Sequence, residues 1–94
     1  MFPVEPISAK MLDYYVGRKD AFLIDLRDRE VYRTGHIKGA INVPYERFEE
    51  MQEYDFPKGK TLVLYCERGG ASLVAARILA KKGYQTRTVI GGLN

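Results

Sequence analysis

Thr61-Leu62-Val63-Leu64-Tyr65-Cys66-Glu67-Arg68-Gly69-Gly70-Ala71-Ser72 is the stretch on which the reading of this chain turns. An apolar, β-branched run stops at the only cysteine, and a glycine pair opens into a long segment of helical pattern. Such a run suits a buried strand. The segment from about Gly70 to Lys82 carries Leu73, Val74, Ala75, Ala76, Ile78, Leu79 and Ala80 and is apolar on most sides. It reads as a largely buried helix, with Lys81 and Lys82 at its negative end and Gly83 as the C′ residue. The cysteine therefore stands at a strand end, on a short loop, below a helix N-terminus. Unpaired backbone N–H groups and the positive end of the helix dipole favour an anion there, and thiolate is the anion that cysteine can become.

Working outward, Ala21-Phe22-Leu23-Ile24-Asp25-Leu26 is a second apolar run of strand length, Ala40 to Val43 a third before Pro44, and Tyr84 to Ile90 a fourth. Between them lie helical segments. Ser8 is placed to cap one through about Val16, with Met11, Leu12 and Tyr15 at helical spacing and Gly17 as its stop. Asp28 is placed to cap a short one over Arg29 to Arg33, ended by Gly35. A third runs from Tyr45 to Tyr54, held by Phe48 and Met51. Pro57-Lys58-Gly59-Lys60 and Gly91-Gly92 are turns. Strands alternating with helices predict an α/β domain with a mostly parallel sheet, whose ligands gather at the carboxyl ends of the strands. Cys66 lies at one such end and Asp25 is placed near another.

The 94 residues suit one domain, 1–94, with 46% hydrophobic and 29% charged residues. A formal net charge of +3, with acidic and basic residues interspersed, gives no basic block of the kind that tracks nucleic acid. One cysteine excludes an internal disulfide, and with one histidine leaves too few soft ligands for structural zinc. A lone thiol points to a reducing compartment, and cytoplasm is the expectation. The start, Met1-Phe2-Pro3-Val4-Glu5-Pro6, lacks the charged and apolar regions of a signal peptide, and no apolar stretch has the length of a membrane span.

Cys66 is the candidate nucleophile, in a loop of Glu67, Arg68, Gly69, Gly70, Ala71 and Ser72. The glycines allow backbone amides to turn inward as an anion-binding nest, and Arg68 adds positive potential, which Glu67 opposes. The bland alternative, a buried structural cysteine, carries no reason for that loop. His36 sits in a turn, where a ring nitrogen held by a backbone carbonyl is the commoner outcome than a Cys–His dyad. Asp25, Arg27 and Glu30 read as an ion-pair group that braces the loop after a strand, worth ~1 kcal/mol or less if exposed. Gly69-Gly70 is no Walker loop, since no lysine follows at the required spacing. The tyrosines are dispersed as core and rim residues.

Two stretches together resemble the rhodanese family of sulfurtransferases. The first is Leu23-Ile24-Asp25-Leu26-Arg27 followed by Gly35-His36-Ile37-Lys38-Gly39-Ala40-Ile41-Asn42-Val43-Pro44; the second is Tyr65-Cys66 with Gly69 and Ser72 at the family's loop spacing. Val89-Ile90-Gly91-Gly92-Leu93 matches the closing motif, so the resemblance covers the chain from Ile7 onward. It implies a three-layer α/β/α fold with a mainly parallel five-stranded sheet. It also implies that Cys66 takes a sulfane sulfur from thiosulfate, polysulfide or a persulfide and passes it to a thiol, to cyanide or to an acceptor protein. Asp25, Arg27 and His36 would support the site. No cofactor is implied, and a monomer and a homodimer both fit. The family usually continues past Gly-Gly with a terminal helix, which is expected to be missing here because the sequence stops at Asn94.

The loop departs from the family pattern. Members that use thiosulfate often carry Arg after the cysteine and a basic residue before the serine, where this chain has Glu67 and Ala71. Less positive charge favours polysulfide, a persulfide or a partner protein as donor. A phosphatase would need an arginine six places after the cysteine to clamp phosphate, and Ser72 stands there. A non-catalytic carrier or partner-binding module is the alternative from another class. A thiol redox sensor would need an external resolving thiol.

Overall fold

A computed structural model of the chain describes residues 3–93. Its strands are β1 (Val4–Ile7), β2 (Ala21–Asp25), β3 (Ile41–Asn42), β4 (Thr61–Tyr65) and β5 (Gln85–Val89). The helices are α1 (Leu12–Tyr15), entered through a 3-10 turn at Ala9–Met11, then α2 (Arg29–Thr34), α3 (Tyr45–Glu50) and α4 (Gly70–Lys81). The five strands form one sheet in the order β1-β5-β4-β2-β3, and every pairing is parallel.

β4 lies at the centre because its apolar run is continuous. Leu62 and Leu64 point to one face, among Phe48, Ala75, Ala76 and Leu79 of α3 and α4. Val63 and Tyr65 point to the other, among Ile7, Leu12, Leu23 and Val89. Burying both faces is what a central parallel strand requires, and each such side chain contributes roughly 1.5–3 kcal/mol. The carboxyl ends of β2 and β4 are neighbours, with Asp25 beside Tyr65 in register.

Several boundaries differ from the sequence expectation. The residue pattern gives four strands, and β1 is the fifth. Pro6 argues against a strand in the sheet interior, but β1 is an edge strand paired only with β5, where one side needs no N–H. The helix expected from Tyr45 to Tyr54 ends at Glu50, since Met51 is extended (φ −70°, ψ 129°). Tyr54 instead folds back, its ring stacked 4.8 Å from that of Phe48 and its hydroxyl donating to the Phe48 carbonyl at 3.3 Å. Aromatic stacking in the core outweighs helix propensity there. The strand expected over Ala40 to Val43 is only Ile41–Asn42, and that over Tyr84 to Ile90 is Gln85–Val89. The side chains of Ser8 and Asp28 make no capping hydrogen bond. α4 is less buried than its composition suggests. Ser72, Ala75, Ala76, Leu79 and Ala80 form its inner face, while Val74 is 43% exposed. Gly83 (φ +96°) ends it as expected, donating to the Ala80 carbonyl at 3.1 Å. Asn94, on which the expectation of a missing terminal helix rests, lies outside the described residues.

Candidate active site

Cys66 follows the last residue of β4 and is 6% exposed. The backbone N–H of Gly69 donates to its sulfur at 3.0 Å, and that of Ser72, in the first turn of α4, at 3.4 Å. The chain makes this turn because Gly69 takes φ +92°, a conformation costly for any residue with a Cβ. The closing Gly91-Gly92 turn packs onto the same loop. A Cβ on Gly69 would come within 2.9 Å of the Gly91 nitrogen, and one on Gly92 would overlap the Glu67 carbonyl. Leu93 N–H donates to the Cys66 carbonyl at 3.1 Å. Behind the loop, the fully buried Ser72 hydroxyl donates to the Gly69 carbonyl at 3.1 Å and lies 2.8 Å from the Thr88 hydroxyl. The sulfur side opens onto a cavity of about 340 Å³ lined by Leu26, Arg27, Asp28, Cys66, Glu67, Arg68, Gly70 and Ala71.

The neighbouring wall is the loop after β2. The fully buried Asp25 carboxylate accepts from Arg27 Nε at 3.1 Å and Nη2 at 2.8 Å, and from the Arg27 backbone N–H at 2.8 Å. Arg27 Nη2 also donates to the Gly35 carbonyl at 2.7 Å. Asn42 Nδ2 donates to the carbonyls of Asp25 and Arg27, at 3.0 and 2.9 Å. The hydrogen bond to Asp25 holds the Arg27 guanidinium still more firmly in its charged form. The guanidinium lies 5.6 Å from the centre of the Tyr65 ring. The Tyr65 hydroxyl accepts from Ile37 N–H at 3.1 Å, and burial pushes its phenol well above the usual range.

The candidate residues thus divide. Cys66, Glu67, Arg68, Gly70, Ala71 and Arg27 line one cavity, and Gly69 and Ser72 face its sulfur. Asp25 acts through Arg27 and does not line the cavity. His36 is exposed, bound through Nδ1 to the Tyr32 carbonyl at 2.9 Å and stacked on the Tyr32 ring, and is not among the lining residues. Glu30 is exposed and joins no ion pair among the described residues, so the expected triad of charges is a pair, and a buried one. Sequence reasoning missed Asn42 and Thr88, whose polar side chains in strands were the available signal. It also gave Asp28 a cap in place of a position on the cavity wall.

Residues 8–94 match the rhodanese-like domain. The thiosulfate sulfurtransferase PspE of Escherichia coli is 38% identical over 71 residues, covering 74% of this chain and 68% of that protein. A tRNA sulfurtransferase of Desulfurococcus amylolyticus is 38% identical over 74 residues, covering 79% of this chain, which spans only 14% of that protein's length. Reduced CoADR-RHD from Bacillus anthracis superposes with a TM-score of 0.82 at 34% identity, over 95% of this chain and 16% of that one. One family accounts for nearly every residue from Ser8 onward, and relatives named for sulfur transfer share its sequence: the chain belongs to the rhodanese-like domain family.

Proposed function

We propose that the protein is a sulfurtransferase that works through a persulfide on Cys66. In the first step the Cys66 thiolate attacks the outer sulfur of a donor. A new S–S bond forms at Sγ, the donor's own bond to that sulfur breaks, and its electron pair leaves with the remainder of the donor (a thiolate from a persulfide, sulfite from thiosulfate). In the second step an acceptor thiolate or cyanide attacks the terminal sulfur, and the electron pair returns to Sγ. The sulfur alternates between two forms of the enzyme, so the kinetics are ping-pong.

The observation that carries this reading is the pair of backbone N–H groups, from Gly69 and Ser72, aimed at the Cys66 sulfur. Preorganised donors of this kind stabilise negative charge on sulfur without reorganisation. The roughly 340 Å³ cavity suits a small donor. Glu67 and the single loop arginine, Arg68, supply little net positive charge, which favours polysulfide or a persulfide over the dianion thiosulfate. A reducing compartment would keep the thiol free between turnovers.

Intact-mass measurement after exposure to polysulfide and to thiosulfate tests the reading. The expected result is a gain of one sulfur atom that Cys66→Ala lacks and that cyanide or dithiothreitol removes. No gain from either donor overturns it. A second reading, a carrier that hands its sulfur to a partner protein, draws on one observation, that this chain matches a 14% portion of a longer relative. Repeated turnover of cyanide to thiocyanate supports the enzyme, and a single discharge supports the carrier.

A further inference from the structure

Beside the thiol cavity lies a second concave surface, of about 610 Å³, lined by Arg29, Tyr32, Arg33, Asn42, Pro44 and Arg47. Arg29 and Arg33 stand one turn apart on α2, and so share a face, while Arg47 comes from α3. No carboxylate lines this cleft, although Glu30, Glu46, Glu49 and Glu50 occupy other faces of the same two helices. Among the described residues, none of the three arginines is in an ion pair. Three unpaired guanidiniums around one hollow repel each other unless an anion joins them. Guanidinium forks match phosphate oxygens in bidentate geometry.

The cleft and the thiol cavity are lined by consecutive residues. Arg27 and Asp28 line the one and Arg29 lines the other. Asn42 lines the cleft while its side chain donates to the Arg27 carbonyl, which ties the linings of the two together. We propose that Arg29, Arg33 and Arg47 form a subsite for the phosphate-bearing end of a small sulfur donor or acceptor whose sulfur end enters the Cys66 cavity. The anion subsite stands by itself; its role in transfer rests on the persulfide reading. Its volume is that of a small-molecule site, which favours such a compound over a polymer.

Two measurements separate these claims. Calorimetry with inorganic pyrophosphate on the Cys66→Ala protein reads the subsite without any sulfur chemistry. Arg33→Gln/Arg47→Gln is expected to weaken binding about tenfold or more, the loss of charge-assisted bonds. Arg77→Gln/Lys81→Gln, which removes the same charge from exposed positions on α4, is expected to leave binding within about twofold. Absence of binding at physiological ionic strength, or equal losses in the two variants, overturns the subsite. So does tighter binding of a single-stranded RNA oligonucleotide through the same arginines, since the occupant is then a polymer. The second measurement compares discharge of persulfidated Cys66 by 4′-phosphopantetheine and by pantetheine, the same thiol without phosphate. A preference for the phosphorylated thiol that Arg33→Gln/Arg47→Gln abolishes supports the role in transfer, and equal rates in the wild-type protein overturn it. If no persulfide forms at all, the functional reading fails while the pyrophosphate result still judges the cleft.

Discussion

The loops that follow β2 and β4 leave the sheet side by side and are built on opposite principles. After β2, the polar groups bond largely to one another: the Asp25 carboxylate accepts from the side chain and backbone of Arg27, Arg27 Nη2 also donates to the Gly35 carbonyl, and Asn42 ties down two carbonyls. After β4, two backbone N–H groups converge on a thiol sulfur, which is a weak acceptor. The first loop turns most of its polar groups onto itself and is a brace. The second holds donors whose interaction strengthens as soon as negative charge develops on the sulfur. Self-contained polar bonding and the arrangement of donors around a thiol are thus separated onto adjacent strands.

Removing the brace gives the largest expected effect. Asp25→Ala leaves the Arg27 guanidinium, whose side chain is 10% exposed, without its counter-charge. Breaking a buried pair costs about 3–5 kcal/mol, and the access of Arg27 to the cavity puts this case at the lower end. Urea unfolding measures the loss. The fraction that remains folded is expected to take up sulfur still, because Asp25 does not line the thiol cavity and the sulfur's hydrogen bonds come from Gly69 and Ser72; selective loss of uptake without loss of stability would contradict the division of labour. Next is Gly92→Ala, which strikes the other loop. Its φ of +69° and the overlap of a Cβ with the Glu67 carbonyl together cost about 2–3 kcal/mol. Here uptake is expected to fall along with stability, since relief of the overlap pushes the loop away from its seat. Unchanged uptake per folded molecule would show that the closing turn does not position the thiol.

The contrast between the loops was unevenly legible in the sequence. The β4 loop is local. Strand, cysteine, glycines and helix follow one another, so spacing alone places Gly69 and Ser72 near the sulfur. The β2 loop is assembled from afar. Asn42 reaches Asp25 and Arg27 from β3, and no local pattern encodes that contact. Burial of Asp25 was hidden for the same reason, since a carboxylate two residues from an arginine looks like a surface pair until other strands enclose it. The sheet itself was legible wherever apolar runs were continuous. It was missed at β1, where proline mimics a break but an edge position tolerates it; α3 was legible at its start and overextended at its end, where Tyr54 exchanges helix for stacking on Phe48.

Ser72→Ala sharpens the comparison by removing a side chain while keeping the backbone donor. The Thr88 hydroxyl, buried in β5, loses its partner at 2.8 Å, a cost of about 1–2 kcal/mol. The N–H that faces Cys66 remains, so sulfur uptake is expected to stay within a few-fold of wild type. A loss comparable to that of Cys66→Ala would move the function of this position from backbone to hydroxyl.

The smallest expected effect concerns Tyr65, the residue that joins the two loops. Its carbonyl accepts from Leu26 N–H at 2.9 Å, and its ring lies under Arg27. Burial is the main reason its phenol is held well above the ordinary value. The unfolded chain therefore releases this proton first, beginning near pH 10. Above that pH the unfolded state binds fewer protons than the folded one, and stability falls as pH rises, by at most about 1.4 kcal/mol per unit. At neutral pH, Tyr65→Phe costs about 1 kcal/mol through the lost bond from Ile37 N–H. The gap between wild type and variant is expected to close once the pH passes about 10, because only the wild type keeps this penalty. Tyr45 and Tyr54 are also raised by burial, but both proteins retain them, so their contributions cancel in the difference. Denaturation curves taken one unit on either side of that value decide the matter. A constant gap would mean that the phenol is not buried in the folded state.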